Sequence, residues 1–176
     1  MRIREYREDT DFESVLEIYE SVNWQNYTND VCKLKSALTN SHKTYVFCQE
    51  NKVRGLVRTI SDGFTICYIQ DLLVHSDYQH RGIGRELVKF ILHSSEHIRQ
   101  IVLMTDAKEE LKNFYTNAGF REVKYDLCAF ARLKWRILCR CFLYLRHKRG
   151  PWNSDISEVQ TEKSDRTRYI GIGSKL

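Results

Sequence analysis

Apolar residues along this chain recur first at helical spacing, then at every second position, then at helical spacing again, and the switches mark the elements. Arg2 to Tyr6 reads as a first strand, and Asp9-Thr10-Asp11 is a helix-start signal. Phe12, Val15, Leu16, Ile18 and Tyr19 then share one face of a helix over 10–21. After an aromatic loop, Trp24 to Tyr27, the run Thr28-Asn29-Asp30 can cap a second helix that turns Val31, Leu34 and Leu38 inward.

Strands follow. Lys43 to Gln49 and Lys52 to Ile60 flank a hairpin turn at Glu50-Asn51, and Ser61-Asp62-Gly63 turns the chain into Phe64 to Val74. Gly82 to His93 is a helix with Leu87, Val88, Ile91 and Leu92 on its buried side. Arg99 to Thr105 is a short apolar strand, and Lys108 to Asn117 a helix ended by Gly119. Final strands are expected near Phe120 to Tyr125 and Leu127 to Leu133. The order βααβββαβαββ is an α/β fold with a mixed central sheet and helices on both faces.

Composition narrows the function classes. The 176 residues suffice for one domain with a full core and an appendage. No stretch approaches the roughly 18 apolar residues that span a bilayer, and the charged opening MRIREYREDTDFESV does not resemble a signal peptide, so the expected compartment is cytoplasmic. Neither the six cysteines nor the six histidines show metal-ligand spacing, so no metal is expected and the thiols read as reduced. The net charge of +5 is uneven: residues 1–131 hold 17 basic and 19 acidic side chains, residues 132–176 hold 11 and 4.

Two short segments carry the candidate chemistry. Gln79-His80-Arg81-Gly82-Ile83-Gly84 lies between an apolar strand and a helix. A glycine turn at such a junction leaves N–H groups without intrahelical partners and adds the positive end of the helix dipole, which suits phosphate oxygens. Arg81 and Arg85 can add charge-assisted contacts, although the same glycines would equally make a tight helix entry. The third glycine of a dinucleotide fingerprint and the GKS or GKT of a P-loop are missing. The second segment, Asn113-Phe114-Tyr115-Thr116-Asn117-Ala118-Gly119-Phe120, puts a phenol near a helix end.

Together, YIQDLLVHSDYQHRGIGRELVKFIL and NFYTNAGF resemble motifs A and B of the GCN5-related N-acetyltransferase (GNAT) superfamily, over residues 1 to about 133. Within it, the chain looks like small bacterial-type members of unassigned substrate. The resemblance implies acetyl-CoA as donor and CoA as product. It makes Leu72, Leu73 and Val74 the strand edge that pairs with the pantetheine arm, with the Val74 N–H facing the thioester carbonyl as oxyanion donor. Gln79, His80, Arg81, Gly82, Ile83, Gly84 and Arg85 would cradle the pyrophosphate, and Asn113 joins the cofactor set. A β-bulge in this family splays the fourth and fifth strands apart.

The resemblance also puts Tyr115 at the general-acid position. A thiol of pKa about 8.5 and a phenol of about 10 make proton transfer feasible, while Phe114 and Phe120 beside it suit a core aromatic. A base is harder to find. Alternation puts Tyr68, Gln70 and Leu72 on one face of the fourth strand and Ile69, Asp71 and Leu73 on the other. Family members with a defined base carry Glu or His where this chain has Tyr68 and Gln70, so deprotonation through ordered water is expected. Asp71 is either the nearest carboxylate or a structural hydrogen-bonding group. Trp24 and Tyr27 form either an aromatic wall of the acceptor site or a hydrophobic plug.

The expected arrangement is a GNAT domain over 1–133 and a basic extension over 134–176. The segment KWRILCRCFLYLRHKR is a membrane- or nucleic-acid-binding element, a packing element or an accidental extension, and disorder is expected beyond Pro151. The expected reaction is acetyl transfer to a primary amine of a small molecule by direct attack in a ternary complex. The partner is then a small-molecule amine, with no nucleic acid, no membrane span and a homodimer possible. A protein or peptide acetyltransferase and a non-catalytic CoA-binding module are the alternatives.

Overall fold

The computed structural model describes residues 2–123. Its elements are β1 (Arg2–Glu5), α1 (Glu8–Ser21), α2 (Gln25–Thr28), α3 (Val31–Thr39), β2 (Lys43–Gln49), β3 (Lys52–Ser61), β4 (Ile66–Val74), α4 (Ile83–Ser94), β5 (Gln100–Leu103) and α5 (Glu109–Asn117). The five strands lie in sequence order, antiparallel from β1 to β4, with β5 parallel to β4.

Period-two alternation sorts the strand side chains onto two faces, each covered by helices. Val46, Leu56 and Leu73 pack with Phe12, Val15, Ile18 and Tyr19 of α1 and Leu34 and Leu38 of α3. On the other face, Phe47, Val57, Leu72 and Val74 pack with Leu87, Val88 and Ile91 of α4 and Tyr115 of α5. A bidentate pair from Arg4 to Asp11, at 2.6 and 2.7 Å, ties β1 to α1.

The boundaries depart from the expected ones for local reasons. Helix α1 starts at Glu8, because Asp11 reaches back to the Arg7 N–H (2.8 Å) and the expected start signal sits inside the first turn. Strand β4 starts at Ile66, since Asp62 Oδ1 accepts from the N–H groups of Phe64 and Thr65 and keeps those two residues in the turn. The aromatic loop contains one helical turn, α2, with the Trp24 carbonyl accepting from Tyr27 and Thr28. Residues 120–123 are not a strand, which corrects the expectation for the start of Phe120 to Tyr125. The remainder of that strand, Leu127 to Leu133 and the 134–176 extension lie outside the described residues.

One glycine sets how closely α4 approaches the sheet. A Cβ on Gly55 would stand 2.9 Å from Ile83 Cγ2, 3.1 Å from the Leu73 carbonyl oxygen and 3.2 Å from Leu87 Cδ1. Gly55→Ala should therefore push the first turn of α4 outward. Overpacking of this kind costs about 1–3 kcal/mol, read as a lower midpoint in urea unfolding. An unchanged midpoint would show that the helix yields freely.

Candidate active site

The site is built where β4 and β5 part. β5 pairs only with Ile66 through Ile69, so among the described residues the rest of β4 has no partner on that side. The His75 N–H donates to the Arg54 carbonyl at 2.9 Å, which makes Arg54 and His75 a hydrogen-bonded pair of the β3–β4 ladder. Antiparallel alternation then makes Gly55–Val74 and Val57–Leu72 non-bonded pairs and turns the backbone groups of Leu72 and Val74 toward the open side. By the same parity Leu73, opposite Leu56, spends its backbone groups on β3. The free edge thus consists of Leu72 and Val74, without Leu73.

A bulge creates this parting. Arg58 pairs with Asp71 and Thr59 with Ile69, leaving Gln70 as the extra residue of β4. It also corrects the expected alternation: Ile69 and Leu72 pack on the α4 face, whereas the Gln70 and Asp71 side chains both reach Tyr27 Oη. Two consecutive side chains therefore share the α1–α2 face.

Beyond β4 the chain makes a 3₁₀ turn, Ser76–Tyr78, and enters α4 through backbone held at φ +59° at His80 and +86° at Gly82. Gln79 Nε2 donates back to the Val74 carbonyl at 3.2 Å and pins the loop to the strand. Among the described residues, the N–H groups of 80–85 have no acceptor, the first intrahelical bond being Glu86 N–H to the Gly82 carbonyl. Successive free N–H groups with alternating backbone hand form an anion-binding concavity, reinforced by the α4 dipole.

A cleft of about 310 Å³ opens here, lined by Val74, Gln79, His80, Gly82, Ile83, Gly84 and Arg85, and by Tyr78, Glu110 and Phe114, which the sequence reading missed. Arg54 was also missed: its Cζ lies 4.2 Å from the Tyr78 ring centroid and that of Arg81 4.9 Å, so two guanidinium groups flank one ring beside the loop. Asn113 is exposed on α5 and does not line the cleft.

Tyr115 owes its place to the way α5 stops. The Phe120 N–H donates to the Tyr115 carbonyl and the Gly119 N–H to the Thr116 carbonyl, both at 3.0 Å, with Gly119 at φ +97°. This is a Schellman cap, and its hydrophobic contact is Phe120 edge-on to Tyr115 with centroids 5.8 Å apart. The ring is buried in the same core cluster as Leu72 and Val74, and its hydroxyl has no hydrogen-bond partner among the described residues. Burial raises the phenol well above its ordinary pKa, so it keeps its proton.

On the other face Asp71, 1% exposed, accepts from Arg58 Nε, from Tyr19 Oη at 2.7 Å and from Tyr27 Oη at 3.2 Å. Burial works against the Arg58 charge, but Asp71 outweighs it and holds the guanidinium above its ordinary pKa. Trp24 is 5% exposed, with its ring stacked on Tyr27 at 5.4 Å. Tyr68 is half-buried, its hydroxyl near the Met104 backbone N–H.

The residues fit the cofactor that the motifs imply. Six N–H groups without acceptors among the described residues, a helix N-terminus and Arg85 on the cleft wall suit a pyrophosphate, with Arg81 on the Tyr78 ring beside the cleft rather than lining it, and the edge of β4 beyond Ile69 suits an amide-bearing arm. No group of three or more His, Cys, Asp or Glu side chains among the described residues could hold a metal ion.

Residues 13–134 match the Acetyltransferase (GNAT) domain family. The chain belongs to the GNAT family. A GNAT-family acetyltransferase from Streptococcus pneumoniae TIGR4 superposes on this member with a TM-score of 0.65 at 31% identity, covering 76% of this chain and 96% of that one. The chain is also 33% identical over 107 residues to the uncharacterized N-acetyltransferase ycf52 of Gracilaria tenuistipitata var. liui, a match spanning 57% of each chain. It is 35% identical over 74 residues to the chloroplastic GCN5-related N-acetyltransferase 2 of Arabidopsis thaliana, covering 41% of this chain and 28% of the plant protein. Among the described residues no helix is long and apolar enough to cross a membrane.

Proposed function

We propose that this GNAT member transfers the acetyl group of acetyl-CoA to a primary amine of a small molecule, by direct attack while both substrates are bound. The observation that carries this reading is the continuity of the β4 edge at Leu72 and Val74 with the N–H groups of residues 80–85, both unpaired among the described residues and together suited to be one binding track. Acetyl-CoA supplies an acetyl group activated as a thioester. The loop and the α4 N-terminus hold its phosphates, with Arg81 and Arg85 adding charge.

Each residue then has a task. The edge offers two open N–H groups, Leu72 and Val74: the pantetheine arm takes one, and the thioester carbonyl oxygen is held by the other as charge develops on it. Tyr115 presents its phenolic proton to the departing sulfur. Asp71 already accepts three hydrogen bonds and is paired with Arg58, and no other carboxylate or imidazole stands on β4, so the amine proton leaves through water.

The first measurement is the shift in Tm with acetyl-CoA and with CoA. Cofactor at about 100 times its Kd should stabilise the fold by about 2.7 kcal/mol. No shift would end the reading. The second is thiol release with a panel of tyramine, tryptamine, 2-phenylethylamine, spermidine, lysine, kanamycin and a short peptide. Turnover of the peptide alone would favour a protein or peptide substrate. Tight CoA binding with no thiol release would favour a non-catalytic module, the reading that the engaged Asp71 supports.

A further inference from the structure

Gln70 is the bulge residue of β4 and the first residue beyond the last pair with β5, which puts it at the apex of the parting, two positions before Leu72. Its Nε2 donates to Tyr27 Oη at 3.2 Å, and Tyr27 Oη donates to Asp71 Oδ1 at 3.2 Å.

This chain fixes which end of the amide faces outward. The Asp71 carboxylate can only accept, so the single Tyr27 proton goes to it, and the Tyr27 oxygen is left to accept from Gln70. Burial, with Asp71 adding to it, pushes the Tyr27 pKa up to about 12, so that proton stays in place through the neutral range. Tyr27 cannot swing away, because its ring is stacked on Trp24 and tilted against Tyr19, with centroids 5.4 and 5.2 Å apart. Asp71 is held in turn by Arg58 and Tyr19. The Gln70 Oε1, a hydrogen-bond acceptor, therefore remains without a partner among the described residues.

We propose that Gln70 orients the attacking amine, its Oε1 accepting one amine N–H, and that Tyr27 and Asp71 are positioning residues that hold the amide in that sense. The proposal rests on the acetyl-transfer reading above and names the acceptor as a primary amine with two N–H groups to use. An amide oxygen is too weak a base to take the proton. One N–H is therefore held by Gln70 while the other loses its proton to water, the nitrogen lone pair forms the new C–N bond, and the C–S electron pair leaves with sulfur. A secondary amine has a single N–H for both tasks.

The test compares the wild type with Gln70→Leu, Gln70→Asn and Tyr27→Phe. Each is assayed with the panel amine of highest kcat/KM and with its N-methyl derivative, at saturating acetyl-CoA. Gln70→Leu should raise the KM of the primary amine about tenfold, the cost of one lost hydrogen bond, and erase most of the preference over the N-methyl amine. Tyr27→Phe should move both in the same direction, and Gln70→Asn, one methylene short, should not restore the wild-type KM. The KM for acetyl-CoA should stay unchanged. The further rise in Tm that the amine adds to the CoA complex should shrink in the same variants, a readout that needs no turnover. An unchanged amine KM in Gln70→Leu overturns the proposal, as does a parallel loss of Tm and of affinity for both substrates. Absence of any acetyl-CoA shift in the wild type defeats the underlying reading instead. A normal shift with no amine turned over defeats this proposal and leaves CoA binding standing.

Discussion

Tyr115→Phe should lower kcat about a hundredfold or more, the range of a lost general acid, while the rise in Tm on adding acetyl-CoA stays as in the wild type. The two readouts separate because the hydroxyl has no partner among the described residues, whereas the ring contacts with Phe114 and Phe120 survive the change. Stability itself should barely move, since no hydrogen bond is lost. Burial holds the phenol well above its ordinary value, so its protonated form is present below that raised pKa and is lost only above it. A plot of kcat against pH should therefore show no alkaline decline assignable to Tyr115 up to about pH 10, where an unburied tyrosine would titrate. A variant that keeps wild-type kcat would make Tyr115 a core aromatic and nothing more.

The largest effect on stability is expected from Asp71→Ala. That change strips the acceptor from Arg58, Tyr19 and Tyr27 at once, inside a region where the Arg58 and Asp71 side chains are 7% and 0% exposed. Breaking a buried pair by removing one partner costs about 3–5 kcal/mol, because the remaining charge is left uncompensated. Against a total of about 5–15 kcal/mol, urea unfolding should show a much lower midpoint or no folded baseline. A second variant guards against the trivial outcome: replacing both partners, Arg58→Met with Asp71→Leu, should recover the part of the loss that comes from the uncompensated guanidinium, while the Tyr19 and Tyr27 hydroxyls stay without their acceptor. A loss under about 1 kcal/mol for Asp71→Ala would mean that water reaches the site and solvates the guanidinium.

Most of the architecture was legible because the period of the apolar pattern changes cleanly. Val46 and Phe47, Leu56 and Val57, and Leu72 and Leu73 are adjacent apolar pairs, and each pair divides between the two faces as a doubly covered sheet requires. The glycine turn into α4 was legible because glycine spacing and the free N–H groups of a helix entry are local properties. What escaped was set by long-range pairing. Nothing local marks Gln70 as the extra residue, since that depends on how β4 aligns with Arg58 and Thr59, and strict alternation therefore put Gln70 and Asp71 on opposite faces. Glu110 and Phe114 reach the cleft because α5 returns past the end of β4, whereas Tyr78 closes the 3₁₀ turn after that strand, and Arg54 stacks on the Tyr78 ring from the extra position of β3 opposite Phe47 and Cys48.

The extra residue at position 70 makes chain length a chemical variable in β4. In the hairpin tips at Glu50-Asn51 and Asp62-Gly63, a residue gained or lost alters a surface turn. In β4, losing one residue would restore an even ladder, bring the backbone groups beyond Ile69 back into reach of β5 and return position 71 to strict alternation. Length in this strand is therefore as constrained as residue identity, and an insertion or deletion between Ile69 and Leu72 changes in one step which backbone groups turn away from β3 and which side chains reach Tyr27.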